Sequence, residues 1–372
     1  MQRKKIIYFI EVLGWGGIET FIANVLQKIN LNKYQVEIVC INKISDHFDE
    51  LFNRLGVKVV VLKKERIANP IKRYWVGVKA FGKYLDGNKC EIIHFHISNA
   101  IDFLHVQMAK SKKVKYRISH SHNSDVNKKY KRVGHEILKV FLKNAPSHRV
   151  ACSLKAYNWL YSNAVNSKSP IILKNGIDVN KFVYDSDKAR EVKEKLNIKD
   201  KFVIIHIGRF NLQKNHEFLI EFFDEYAKTD KDSVLLLIGS GELKDDIISK
   251  VSKLETKDQI VFCGEVDDIP GYLMASDVFV LPSLYEGLPV VGIEAQTTGI
   301  NCIFSDTITQ ELNINSNIKF CSIEKTDFWV DEITKLKKSN YRYENADRVV
   351  EAGYDIQSTV NEIEELYDSM VL

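Results

Sequence analysis

The chain reads as an α/β protein of two doubly wound domains, and three observations carry that reading. Its 372 residues exceed what one compact core usually organises. Short runs rich in Ile, Val and Phe alternate with helical patterns through both halves. Charge is divided between those halves: residues 1–170 hold 30 Lys and Arg against 12 Asp and Glu, net +18, while the remainder holds 23 against 37, net −14. The total of +4 conceals this asymmetry, which suits two domains with different partners.

The apolar runs of the first half are KIIYFI, QVEIVCI, VKVVVL, EIIHFH, YRISH and HRVAC. Those of the second are FVIIHIG, SVLLLIG, QIVFCG, DVFVLP and NCIFS. Continuous apolar strands separated by helices predict parallel sheets covered on both faces. The polar stretch in NSKSPIILKNGID places the boundary between domains 1–168 and 169–355. The periodicity of IQSTVNEIEELYDSM predicts a C-terminal helix over 356–372, expected to pack back on the first domain. The opening MQRKKIIYFIEVLGWGG is basic and then apolar, but Glu11 interrupts it and no small-residue cleavage site follows, so it reads as a first buried strand. No stretch approaches the length that spans a bilayer. Six cysteines stand singly, with no CxxC pair, as buried hydrophobes rather than disulfide or zinc ligands; a reducing cytoplasm fits them.

In open parallel sheets, ligands sit beyond the carboxyl ends of the strands, so the strand exits carry the chemistry. The first delivers GWGGIE, whose Gly14, Gly16 and Gly17 precede a helix; backbone amides there can approach an anion. The spacing is not that of the dinucleotide fingerprint. Two histidine pairs follow. His94 and His96 lie on one face of a strand, as a metal would need, but no third ligand shows at a convincing spacing. His120, His122 and Asn123 leave the next strand, where a donor or general acid/base would be useful. In the second half, Arg209 and Lys214 flank a strand exit and a helix start, a place for a diphosphate. Finally, YEGLPVVGIEA carries two glutamates. Gly287 leaves room for a ligand, Pro289 suits the first helical position, and free N–H groups there can meet phosphate. Glu286 before the helix and Glu294 inside it can accept from hydroxyls at opposite ends of a ligand. Phosphate in the middle with hydroxyls at both ends describes a nucleotide-sugar; two solvated charges are the plainer reading.

EGLPVVGIE resembles the E-x₇-E motif of retaining glycosyltransferases of family 4, which have the two-domain GT-B fold with a central cleft. GGIE, SHSHN, NGID, GRF with KNHEFLI, GSGEL and LPSLYEGLPVVGIEAQTTG occur in that family's order, as far as about Asp306. The likeness is to bacterial enzymes of capsule, exopolysaccharide or O-antigen assembly. It implies that Arg209 and Lys214 neutralise the donor diphosphate, that Glu294 binds ribose and that Glu286 contacts the transferred sugar. Backbone at Gly287, Leu288 and Val290 would support phosphates and sugar, and the loop of Gly16 and Gly17 would face the diphosphate and acceptor. His122 matches the family's active-site histidine, with His120 and Asn123 on the acceptor side. Ile18 stands where the family usually has Ala, and the pattern beyond Asp306 lacks the family's glycines.

The expectation is therefore a retaining, metal-independent transferase without cofactor. It would move a sugar from a nucleotide-sugar, a UDP-sugar, to a lipid-linked saccharide. An epimerase of the same fold, or an inactive nucleotide-sugar-binding partner of another transferase, stays open. The basic clusters KKERI (63–67), KSKKVKYR (110–117) and KKYKR (128–132) predict peripheral, salt-reversible binding without insertion at the anionic cytoplasmic face of the plasma membrane. No nucleic-acid recognition motif accompanies them.

Overall fold

The computed structural model describes residues 3–65, 70–125, 129–161, 169–339 and 341–370. Arg66, Ile67 and Lys128 of the basic clusters, and residues 162–168 before the expected boundary, lie outside them. The chain forms two units, Met1–Gly176 with Ile356–Leu372, and Ile177–Asp355.

The first unit is a parallel sheet of β1 (Lys4–Leu13), β2 (Tyr34–Lys43), β3 (Lys58–Val61), β4 (Ile92–Ile97), β5 (Tyr116–Ser121), β6 (His148–Ala151) and β7 (Ile171–Ile172). Their order is β3-β2-β1-β4-β5-β6-β7. Side chains alternate between two cores because successive strand residues point to opposite faces. Ile7, Phe9, Ile93 and Phe95 meet Phe81 of the Pro70–Gly87 helix and Phe103 and Val106 of the Phe103–Ser111 helix. Ile6, Tyr8 and Ile10 meet Phe21, Ile22 and Val25 of the Gly17–Lys28 helix. The C-terminal helix, Ile356–Ser369, adds Ile356, Val360, Ile363 and Tyr367 to this second core. Spacings of three and four put those four residues on one stripe.

The boundary moves by eight residues from the expected one. Ile171 and Ile172 pair with Val150 and Ala151, so the IILKNG segment completes the first sheet instead of starting the second.

The second unit holds β8 (Phe202–Ile207), β9 (Ser233–Ile238), β10 (Ile260–Gly264), β11 (Val278–Leu281), β12 (Asn301–Ser305) and β13 (Ile318–Cys321), in the order β10-β9-β8-β11-β12-β13, all parallel. Every residue of β8, β9, β11 and β12 is buried, as strands covered on both faces must be. In each unit the order reverses beside the first strand: β1 sits between β2 and β4, and β8 between β9 and β11. Such a switch point splays the loops at the strand exits and opens a crevice for a ligand. All six cysteines are free.

Candidate active site

In the second unit the switch point lies between β8 and β11, and the loops leaving those strands are bolted together. Gln213 does most of this. Its backbone carbonyl accepts from Leu284 N (2.8 Å), and its amide donates to Tyr285 O (3.0 Å) and to Glu286 Oε2 (3.1 Å). Asn215, in the left-handed region at φ 55°, donates to Pro282 O (3.2 Å). From the end of β12 and the turn after it, Ser305 Oγ and Thr307 Oγ1 both donate to Ser283 O. The loop carrying Glu286 is thus fixed before any ligand arrives, as an electrostatic site requires.

Lys214 Nζ lies 2.6 Å from Glu286 Oε1, in a pair whose side chains are only 14% and 9% exposed. Its aliphatic stem runs over Gly208, where a Cβ would sit 3.1 Å from Lys214 Cδ and Cε. The predicted diphosphate cation and the predicted sugar carboxylate are therefore direct partners. Arg209 behaves differently: it is half-exposed and its guanidinium pairs with Glu242 at 3.2 Å. The Gly239–Gly241 turn after β9 packs on this segment. A Cβ on Gly239 (φ 139°) would lie 2.1 Å from Gly208 O, and one on Gly241 (φ 156°) 2.4 Å from Phe210 O, so both positions require glycine.

Glu294 lies in the Val290–Thr297 helix. It is 9% exposed, and Glu286 is 7% exposed, which rules out the reading of two solvated charges. Among the described residues the Glu294 carboxylate has no hydrogen-bond partner, and burial pushes its carboxyl up to about 7. Leu288 and Val290 are buried. Pro289 is the N-cap rather than the first helical residue, with extended ψ of 111°.

In the first unit, the GWGGIE loop holds its own anion. Glu19 is buried and its Oε1 accepts from Gly14 N at 2.8 Å, so one of the amides expected to meet phosphate is already engaged. Gly16 is the N-cap of the following helix, and Gly17 has open space where a Cβ would be.

The four histidines of β4 and the β5 exit form one ladder on the sheet face covered by Phe21 and Tyr367. His94 pairs across the register with Ile118, and His96 with His120. His96 Nδ1 meets His122 Nε2 at 3.0 Å, and His94 Nε2 meets His120 Nδ1 at 3.2 Å. His94 Nδ1 continues to Tyr367 Oη at 2.6 Å, and Tyr367 reaches Tyr8 Oη at 3.0 Å. Burial holds His94 and His122 down to about 3 and His96 and His120 well below the ordinary imidazole value.

His122 is half-buried at the β5 exit. His120, expected on the acceptor side, is instead fully buried beneath it, the rings stacked at 4.1 Å. Asn123 spends its Oδ1 on Ser124 N (3.0 Å), holding the turn. Ring nitrogens of His94, His96 and His120 lie within 4.8 Å of one another. The third imidazole that spacing along β4 does not show thus comes from the neighbouring strand. Gln213, too, is invisible to spacing, because its partner Glu286 stands 73 residues away.

Two family models cover most of the chain: Glycosyltransferase Family 4 over residues 15–181, and Glycosyl transferases group 1 over residues 187–356. The putative glycosyltransferase EpsF of Bacillus subtilis is 26% identical over 99% of this chain and 97% of its own length. A UDP-Gal:alpha-D-GlcNAc-diphosphoundecaprenol alpha-1,3-galactosyltransferase of Escherichia coli is 33% identical over 54% of each chain. Among solved structures, Anabaena Alr3699/HepE in complex with UDP and glucose superposes with a TM-score of 0.81 at 15% identity, over 99% of this chain and all of that one. With both parallel sheets in place, the chain is a glycosyltransferase of the GT-B fold, a Family 4 domain followed by a group 1 domain, related to the transferases of bacterial polysaccharide synthesis.

Proposed function

We propose that the chain is a retaining transferase that moves a sugar from a UDP-sugar to a lipid-linked saccharide at the cytoplasmic face of the membrane. One observation carries the donor half of this reading. Glu294 is a buried carboxylate without a partner, on a short helix whose start adjoins the fixed Glu286 loop. Leaving such a group unpaired costs stability unless a ligand supplies donors, and a ribose diol supplies two. The UDP named with HepE and the UDP-Gal and diphosphoundecaprenol named for the E. coli relative support the donor and acceptor classes.

In this reading Lys214 and Arg209 meet the diphosphate, with the backbone at Gly287, Leu288 and Val290 around it. As the bond from the anomeric carbon to phosphate oxygen breaks, its electron pair leaves with the nucleoside diphosphate, and the two cations stabilise that charge. The acceptor hydroxyl attacks the same face, and its proton passes to the departing phosphate oxygen. Configuration is thereby retained. Glu286 orients the transferred sugar, and His122 contacts the sugar or the acceptor hydroxyl. The loop at Gly16 and Gly17 serves the diphosphate and acceptor.

A screen of nucleotide-sugars for protection against thermal unfolding tests the donor class; no rise in Tm with any nucleoside diphosphate or its sugar would end the reading. Calorimetry then separates the glutamates. Glu294→Ala should weaken UDP binding, whereas Glu286→Gln should spare UDP binding and depress turnover; equal loss in both contradicts the division of roles. A pH series adds a signature. The free enzyme's Glu294 carboxyl titrates at about 7, and hydroxyl donors favour its ionised form, so UDP affinity should rise between pH 6 and 8. Glu294→Gln should flatten the part of that rise that UDP's own ionisation does not supply.

The proposal includes a metal-free reaction, because two cations already serve the diphosphate. EDTA should leave transfer unchanged. Loss of activity in EDTA that manganese restores would refute it, and the His94, His96 and His120 trio is where such an ion would then be sought.

A further inference from the structure

The Lys129–Phe141 helix buries two polar side chains and turns four large apolar ones to water, although Leu138 packs on the core and Arg132 and Glu136 are exposed. His135 and Lys139 are buried. The His135 ring stacks on Trp159 at 3.9 Å between centroids, and its Nδ1 accepts from Ala100 N at 3.1 Å. Lys139 Nζ donates to Trp159 O (3.3 Å) and Glu136 Oε1 (3.0 Å). Outward stand Val133, Ile137, Val140 and Phe141, 48–79% exposed. At about 100° per residue these four fall within an arc of about 100°, a continuous stripe.

Single exposed hydrophobics are ordinary, but a stripe of four large ones on two turns of one helix marks an interaction surface. The surrounding charge says what covers it. Arg132 and Lys143 are exposed on the same helix and just beyond its end, and Lys110 bonds Asn144 O there (2.8 Å). The half of the chain that carries the helix is +18, which disfavours a second copy of the same surface and favours an anionic one.

We propose that this helix is an interfacial anchor that seats Val133, Ile137, Val140 and Phe141 among the acyl chains just below the headgroups of an anionic bilayer. Arg132 and Lys143 meet the headgroups. The inference rests on the lipid-linked acceptor reading, and it replaces a purely electrostatic, non-inserting attachment with one that has two parts. The charge part is lost in salt, and the apolar part is not.

Co-sedimentation of the full chain with vesicles of phosphatidylcholine containing about 30 mol% phosphatidylglycerol, at about 0.1 and 0.5 M salt, tests it. The wild type should bind at low salt and keep a measurable bound fraction at high salt. Ile137→Ser with Phe141→Ser should weaken low-salt binding about tenfold and abolish the salt-resistant fraction. Tm and transfer to a water-soluble acceptor should not change, since both side chains are exposed. Lys112→Glu, Lys113→Glu, Lys128→Glu and Lys129→Glu together should remove the salt-sensitive part. If the wild type binds no vesicles at all, the membrane reading and the anchor both fall. If it binds and the serine variant binds equally at both salts, only the anchor falls. A serine variant that changes oligomeric state with unaltered vesicle binding would assign the stripe to contact between copies and overturn the proposal.

Discussion

Lys214→Ala should lower kcat/KM by about 10²–10³-fold, and adding Glu286→Gln to it should lower kcat/KM little further. The magnitude is that of losing one preorganised partner of a transition-state charge, about 3–4 kcal/mol. The non-additivity follows from the 2.6 Å contact between Lys214 Nζ and Glu286 Oε1. With one partner gone the other has lost the group that orients it, so part of the second deletion has already been made. Double-mutant cycles read this coupling directly. Stability should move in a different pattern. Lys214→Ala leaves a carboxylate that is 7% exposed with only Gln213 and its other loop contacts, so Tm should fall. In the double variant a neutral amide replaces that carboxylate, and part of the fall should be recovered. Arg209→Ala is the contrast: its guanidinium is half-exposed beside Glu242, so its loss should reduce turnover with little change in Tm. Kinetic losses of Lys214→Ala and Glu286→Gln that add within about 0.5 kcal/mol would show that the pair is not a functional unit.

How far the sequence exposes this site depends on whether a signal is local. The strands are legible because each is a short apolar run bounded by polar or glycine-containing turns; VFVL and VIIHI need no partner to be recognised. Glu294 is legible because it stands eight positions after Glu286, in a helix that follows the Pro289 cap. The Lys214–Glu286 contact is not, since adjacency of β8 and β11 is a property of strand order, and residues 72 positions apart in sequence show no common period. The same holds for the histidines. Spacing puts His94 with His96 and His120 with His122, but only the parallel register of β4 and β5 merges the pairs into one ladder. The boundary near Gly176 is displaced for a related reason: a two-residue strand carries too little pattern to declare which sheet it joins. Where the fold brings distant residues together, composition offered chemistry without an address.

That ladder predicts acid lability of the first unit. Burial keeps His94, His96, His120 and His122 neutral, with His94 and His122 held to about 3 and the other two well below the usual range. His105, also at about 3, and His135 are shifted in the same direction by the same cause. In the unfolded chain each would titrate near 6.5. The folded pKa is thus depressed, so below pH 6.5 the unfolded chain binds protons that the native unit refuses. Stability is fully present above pH 6.5 and falls as pH drops from there towards 3. Between pH 6.5 and 5.5 each ladder histidine contributes a loss on the order of 1 kcal/mol, and four together approach the whole stability of an ordinary domain. The C-terminal helix should be released in the same transition, since Tyr367 closes the ladder through His94. The second unit holds only His206 and His216 in this condition, which gives it a shallower dependence. Denaturant titrations at pH 7.5, 6.5 and 5.5 measure it, with His94→Gln and His120→Gln as the comparison. The wild type should lose several kcal/mol across that range and the double variant about half as much from the ladder, although the variant starts lower at pH 7.5 through its disturbed packing. A wild-type stability that stays level down to pH 5.5 would mean that the ladder accepts protons in the folded state. Its rings would then open to water or share charge, and His122 would be a cation at the β5 exit rather than a neutral imidazole.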